Sequence, residues 1–544
     1  MKKARKVLAL LLACLLIVLA FAGCGKKDGG TVKPVDSHGK RPKYVFLFIG
    51  DGMSYPQIQL TNYYRSINNQ RGAKFYSVDG QSRKALKSGN DLNMMQFQTA
   101  GSAQTYDRTS FAPDSASTAT SIATGHKTWS GSINVSADFS RKYETIAEKL
   151  KKQKNYKIGV ITSVNINHAT PAAFYAHQKS RDSYYAIGKE MIASNFDYFT
   201  GGTLREPTGE NGGQPDLYKL AEKAGYNVVR TQNGAEQLRP KDGKSIVVSK
   251  ALADEDSMPY EIDRKDGTWS LADYVDKGID MLDNKKGFFM VVEGGKIDWA
   301  CHANDAASVL DDTLALDDAV GRAVKFYNKY PDETLIIVTG DHETGGLTIG
   351  FAGTNYDTFL NNMNSQKISY AKFDEDYVEK YKKNQTDFNT VMNDITRLFG
   401  LERPTNNKKA MIAKDSADKH PDPETGGSLV LTSYEYQELR DAYQMTLNRT
   451  GEETEYAQDE YIKYGSYEPL TVTITHILNN KNGVSFSSYS HTGLPTEVLV
   501  QGAGSFGLVT VAPFTAVMAG TILTRHGRSR DRDEQLRLPD GKDE

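Results

Sequence analysis

The chain has 544 residues, and its 66 Lys+Arg against 68 Asp+Glu leave a formal net charge of −2, so nothing in the charge balance favours nucleic acid. A hydrophobic share of 39% with 25% charged residues excludes both a disordered chain and a polytopic membrane protein. At about 150 residues per domain the length allows several domains, or one large α/β core with insertions.

Lys2, Lys3, Arg5 and Lys6 precede an apolar run from Val7 to Ala22, the pattern of an export signal. The run is shorter than the ~20 residues a spanning helix needs, and it ends in Phe21-Ala22-Gly23-Cys24. That ending reads as a bacterial lipobox, although such signals usually carry Leu where Phe21 stands. Cleavage before Cys24 would make it a lipid-bearing N-terminus; ordinary secretion or an uncleaved anchor is the alternative. Residues 1–23 are thus a signal peptide and 24–42 a Gly-, Lys- and Asp-rich tether. The expectation is an exported lipoprotein, at the cell surface or facing the periplasm, held to the membrane through Cys24. Cys14 lies in the signal, so only Cys301 remains in the body and no intrachain disulfide forms there. Stability outside the cytoplasm must come from core burial or bound metal.

Four short apolar runs, Tyr44 to Ile49, Lys157 to Ile161, Phe288 to Val292 and Thr334 to Val338, predict strands buried on both faces. Helical spacing lies between them: Glu144 to Lys154, and Val309, Leu310, Leu314, Val320, Val324 and Tyr327 at three- and four-residue steps. The alternation predicts a doubly wound α/β fold, a mainly parallel central sheet with helices on both faces, whose ligands collect at the carboxyl ends of the strands. The core spans 43–350. From 351 to 481 the composition shifts to Tyr, Asn, Lys and Asp, with an amphipathic stretch near Tyr377 to Phe399, predicting an inserted, crown-like subdomain. Residues 482–523 return to the core, and 524–544 form a charged tail.

The strand ends carry the chemistry. Gly50-Asp51-Gly52 follows the first run, where the glycines let an ion approach the carboxylate. Glu293 follows the third, and Asp298 and His302, four apart, share one face if helical. Asp341-His342 follows the fourth, and His168 and Thr170 lie in the loop after the second. Each has a bland reading as a turn, cap or packed polar group, but together they crowd the one edge where such a sheet binds ligands. Pro113 to Gly125 predicts a small-residue helix with Ser115 in its first turn, where unpaired N–H groups and the helix dipole favour an alkoxide or phosphate. Alternatively, Asp114 or Ser115 simply caps that helix.

These residues fall in motifs that resemble the alkaline phosphatase family: FIGDGM at Phe48 to Met53, PDSASTATSIATG at Pro113 to Gly125, HATPAAFYAH at His168 to His177, VEGGKID at Val292 to Asp298, TGDHETGG at Thr339 to Gly346 and SHTG at Ser490 to Gly493, in family order. The resemblance implies a metal-dependent phosphate monoester hydrolase in which Ser115 becomes phosphoserine. It further implies one zinc on Asp298, His302 and His491, a second on Asp51, Asp341 and His342, and a magnesium on Asp51, Thr170 and Glu293. Arg181 would clamp the phosphoryl oxygens bidentately; its bland role is a surface ion pair with Asp182. The family is often dimeric, which leaves a homodimer open. Two positions depart from the best-known bacterial pattern: His168 replaces an Asp near magnesium and Trp299 replaces a Lys beside Asp298. His168 and Trp299 are therefore expected behind the metal ligands, with weaker magnesium binding and altered phosphate release. Cys301 is expected to be a buried thiol. A phosphodiesterase or sulfatase of the same superfamily is the nearest rival, and a non-catalytic metal- or phosphate-binding lipoprotein the more distant one.

Overall fold

The structure, a computed structural model, describes residues 41–68, 75–78, 81–84, 92–354, 357–404, 428–450 and 455–505. The signal, the lipobox at Cys24, the tether up to residue 40 and everything after residue 505 lie outside the described residues.

Among the described residues nine strands form one sheet: β1 Tyr44–Gly50, β2 Thr99–Ala103, β3 Lys157–Thr162, β4 Tyr198–Gly201, β5 Asn227–Val229, β6 Ser245–Val248, β7 Phe288–Gly294, β8 Thr334–Gly340 and β9 Thr496–Gly502. Their spatial order is β2-β9-β8-β1-β7-β3-β4-β6-β5. From β8 through β5 every pairing is parallel; β9 and β2 add an antiparallel margin. The four apolar runs become the four central strands. The other five are short, or mix polar residues into the run, and carry too little apolar patterning to stand out from loops.

Strand β1 explains why its sequence is continuously apolar. Alternate side chains point to opposite faces, and here both faces are covered. After β1 comes α1 (Tyr55–Asn68), and Val45, Leu47 and Ile49 join a core with Ala116, Ala119 and Ile122 of α2 (Ser115–Thr124) and Ile146 and Leu150 of α3 (Ile146–Lys154). On the opposite face Tyr44 and Phe46 meet Phe326, their ring centroids 5.0 and 5.6 Å from it. Helix α3 starts at Ile146 rather than Glu144 because Thr145 caps it, its side chain accepting from the Glu148 N–H while Glu148 reaches back to the Thr145 N–H.

The remaining helices that matter are α4 (Leu271–Leu282), α5 (Lys296–His302) and the long α6 (Ala306–Tyr327), which carries Phe326 and packs on β1, β7 and β8. Beyond them, α7 (Phe388–Phe399), α8 (Ser433–Asn448) and α9 (Pro469–Lys481) share a second apolar cluster built on Val391, Ile395, Leu439, Ile474 and Leu478. The amphipathic stretch near Tyr377 to Phe399 is broken at Gln385, whose φ of 48° ends one helix before Asp387 caps the next.

Register positions the functional edge. Gly50 pairs with Gly294 on one side and Gly340 on the other, so β1, β7 and β8 end level with one another. The residues that follow, Asp51 and Asp341, are therefore neighbours, and Glu293 stands one step back on β7. The turn after β1 needs glycine: Gly52 has a φ of 70°, and a Cβ there would lie 2.8 Å from Asp298 Oδ1.

Candidate active site

Every site residue expected from the sequence between Asp51 and His491 comes to this one edge. Asp114 caps α2, its carboxylate accepting from the Ala116 and Ser117 N–H groups, and Gly125 closes the helix in the left-handed conformation. Ser115 is the first helical residue and is buried. Its Oγ donates to Asp51 Oδ1 at 3.4 Å and lies 3.1 Å from His342 Nε2. The cap is therefore Asp114, which leaves the Ser115 hydroxyl facing Asp51 and His342.

Around His342 Nε2 stand Asp51 Oδ1 at 3.2 Å and Asp341 Oδ2 at 3.4 Å, and donor atoms of Asp51, Asp341 and His342 come within 4.8 Å of one another. Asp341 is held by the Gly52 N–H (3.2 Å) and the Thr118 hydroxyl (3.0 Å). A second group joins Asp298, His342 and His491. Helix α5 puts Asp298 and His302 on one face, with His302 Nε2 3.4 Å from Asp298 Oδ2 and 3.1 Å from His491 Nε2. A third group joins Asp51, His168 and Glu293, and Thr170 Oγ1 donates to Asp51 Oδ2 at 3.1 Å. His168, expected behind the ligands, thus has a ring nitrogen within reach of the Asp51 and Glu293 carboxylates.

These donors fit cations. His302 Nδ1 lies 2.6 Å from the Tyr489 carbonyl and His491 Nδ1 lies 2.6 Å from the Pro113 carbonyl, so each ring places its N–H there. That leaves two Nε2 lone pairs facing each other, an arrangement a shared cation satisfies. Glu293 is wholly buried; one oxygen accepts from Thr162, opposite it in the β3–β7 register, and Oε1 has no hydrogen-bond partner among the described residues. Imidazole nitrogens suit zinc and carboxylate or hydroxyl oxygens suit magnesium; the third group, with His168 beside the oxygens of Asp51, Thr170 and Glu293, offers both kinds of donor.

The electrostatics tell the same story. Burial and the Asp51 charge push Asp341 up to about 8, and the same two causes push Glu293 well above the carboxylate range. Burial would lower His342, but Asp341 and Asp51 outweigh it and raise the imidazole to about 10. Burial and the neighbouring His342 lower His491 to about 4, while Asp298, despite burial, is held well below its usual value by His302 and His491. Without cations, this many buried carboxylates must collect protons instead.

Arg181 lies against the N-terminal cap of α2. Its Nη1 donates to Asp114 Oδ2 at 3.0 Å and its Nη2 lies 3.3 Å from His168 Nε2, so its partner is the cap of α2 rather than Asp182. Burial and Arg181 lower His168 to about 3, keeping that ring neutral. Trp299 stands edge-on to His168, ring centroids 6.1 Å apart. Cys301 is fully buried, and burial pushes its thiol well up.

Several contributors escaped the sequence reading. Glu343 accepts from Gln57 and Thr492 and from the Gly346 and Leu347 N–H groups, stapling the two-residue ladder in which Thr344 pairs with His491. Thr344 Oγ1 also donates to Asp298 Oδ1 at 2.6 Å. Glu343 and Thr344 were visible inside TGDHETGG, but only the fold reveals which side chains they hold.

The alkaline phosphatase family model matches residues 42–493. Alkaline phosphatase 4 of Bacillus subtilis (strain 168) is 30% identical over 382 residues, 69% of this chain and 75% of that protein. Among solved structures, Thermus thermophilus alkaline phosphatase superposes with a TM-score of 0.67 at 22% identity, covering 91% of this chain and 94% of its own. A variant of the alkaline phosphatase from the Antarctic bacterium TAB5, with Mg bound in its M3 site, gives 0.54 at 22% identity over 88% of this chain and 96% of its own. With its nine-stranded sheet, its gathered metal-ligand groups and a sequence match that runs through all of them, the chain belongs to the alkaline phosphatase family of metal-dependent phosphatases.

Proposed function

We propose that this chain hydrolyses phosphate monoesters through a covalent phosphoserine at Ser115, with two zinc ions and one magnesium. Asp298, His302 and His491 would hold one zinc, Asp51, Asp341 and His342 the other, and Asp51, Thr170 and Glu293 the magnesium, with His168 beside that last set. When bound, the cations supply positive charge to the attacking and leaving oxygens of an in-line displacement.

The chain's own groups do the rest. The first turn of α2, whose Ala116 and Ser117 N–H groups are held by the Asp114 carboxylate, offers the positive end of the helix dipole to the phosphoryl group. Arg181, braced by Asp114 and His168, presents a planar fork to two phosphoryl oxygens. Ser115 gives up its hydroxyl proton as Oγ bonds to phosphorus and the ester P–O bond breaks, and one proton passes to the departing alkoxide. Water then bonds to the same phosphorus, the Ser115 O–P bond breaks, and inorganic phosphate leaves with the hydroxyl restored. The observation that carries this reading is the Ser115 hydroxyl, buried at a helix N-terminus between Asp51 and His342.

With zinc and magnesium supplied, an aryl phosphate monoester should turn over at least about 100-fold faster than the matching diester or sulfate ester, because only the monoester offers the dianion Arg181 is shaped for. A reversed ranking would replace this reading with that of a phosphodiesterase or sulfatase. Arg181→Lys should raise KM and the Ki for inorganic phosphate by about tenfold, since an ammonium cannot make the paired contact. From the ending Phe21-Ala22-Gly23-Cys24 we further propose that the enzyme sits outside the cytoplasm on a lipid carried by Cys24. Cys24→Ser should move activity from the membrane fraction to the soluble one.

A further inference from the structure

Lys296 lies in VEGGKID but is used by none of the chemistry above. Its side chain is completely buried. The ammonium pairs with Asp254 and stands 4.1 Å from the centroid of the Tyr260 ring and 4.3 Å from that of Trp299. Lys296 and Trp299 are one turn apart on α5, which also supplies Asp298 and His302. An apolar residue of similar length would fill this space without the desolvation penalty of a buried charge. The cation therefore invites a role that depends on its charge.

The contacts continue outward from it. Tyr260 is itself fixed, fully buried with its hydroxyl donating to Tyr370 at 3.0 Å. Asp254 belongs to a segment whose next two residues, Glu255 and Asp256, both adopt positive φ, and that segment is tied down by Asn165 donating to the Glu255 carbonyl at 2.9 Å. Thus the Tyr260 ring is held and the backbone beside Asp254 is tied down, which leaves Trp299 as the element the ammonium restrains. The Trp299 ring in turn lies 6.1 Å, centroid to centroid, from that of His168, and His168 Nε2 lies 3.3 Å from Arg181 Nη2.

We propose that Lys296 is a positioning residue: its ammonium, clamped between Tyr260 and Trp299, holds the indole against His168 and thereby fixes the Arg181 guanidinium for a bound phosphoryl group. The attraction is that of a desolvated cation for an aromatic face, among the stronger forms of this contact. The proposal rests on the monoesterase reading for its kinetic consequence, while the clamp itself is measurable without substrate.

Two readouts test it. In protein carrying Trp129→Phe and Trp269→Phe, Trp299 is the remaining tryptophan. There, Lys296→Met should raise acrylamide quenching of the indole by about twofold or more as the ring loosens. Kinetically, Lys296→Met should raise KM for an aryl phosphate and Ki for inorganic phosphate by about tenfold without lowering kcat, the pattern of lost binding rather than lost chemistry. Lys296→Arg, which keeps a cation on the rings, should restore both.

Lys296→Met/Asp254→Asn removes the charge pair together. If that double variant regains parental Ki and quenching, the effect came from a stranded carboxylate and the clamp is overturned. Trp299→Leu leaves the ion pair intact, so it serves if Lys296→Met does not fold; an unchanged phosphate Ki in Trp299→Leu also overturns the proposal. A parent protein that turned over no monoester would sink the functional reading alone, because the quenching of Trp299 would still report on the clamp.

Discussion

Ser115→Ala should abolish the phosphoenzyme and cut monoester turnover by at least about 10³-fold, the scale on which an enzyme loses its nucleophile. The change removes one buried oxygen from the first turn of α2 and leaves Asp114, which caps that helix, untouched. Folding and metal content should therefore match the parent, so the loss reports on chemistry. Mass spectrometry of acid-quenched protein, mixed with substrate, should show a phosphate adduct on the parent at Ser115 and none on the variant. An alanine variant that retained parental turnover would transfer the role to another group.

Chelation should have an effect of comparable size on activity, and a second effect on stability whose sign follows from the buried carboxylates. In ion-free protein Asp341 is raised from 3.8 to about 8 and His342 from 6.5 to about 10. Both are raised, so the folded state holds protons that the unfolded chain releases. The Asp341 contribution is complete below about pH 4 and is lost as pH rises through 8; that of His342 is complete below 6.5 and is lost as pH rises through 10. His491, lowered to about 4, gains its contribution between pH 4 and 6.5 and is level above that. Asp298 is lowered below 3.8 and is likewise level in the alkaline range. Metal-free protein should then lose stability from pH 6.5 to 10, by roughly 1.4 kcal/mol per pH unit for each extra proton held. Cations take the place of those protons, so the loaded protein should show a shallower slope, with the buried Asp311 and Asp374 outside the site contributing alike to both forms. Melting curves at pH 6.5, 8 and 9.5, with and without chelator, would check it; parallel curves would mean that the carboxylates are not metal ligands.

Legibility in the sequence tracked physical redundancy. The four central strands could be read because burial on both faces makes them apolar throughout, and α6 could be read because its spacing repeats over 22 residues. Strands such as Asn227–Val229 and Thr99–Ala103 lie at the sheet's two margins and show no comparable pattern. At the site, Asp51, Asp298, His302, Asp341 and His342 were legible because they sit directly after apolar runs or at helical spacing. His491 was legible only through family resemblance: its role depends on pairing with Thr344, a contact no local pattern encodes. For the same reason Asp114 stood out as a cap but not as the partner of Arg181, a residue 67 positions away.

The common register of Gly50, Gly294 and Gly340 also dictates when catalytic competence can arise. During synthesis, β1 emerges first yet must wait for partners made far later, and the ladder bearing His491 is completed almost last. Such remote pairings slow folding and leave early segments exposed meanwhile. A nascent or truncated polypeptide ending before that ladder cannot assemble the pocket, so the onset of turnover dates the arrival of the C-terminal strands.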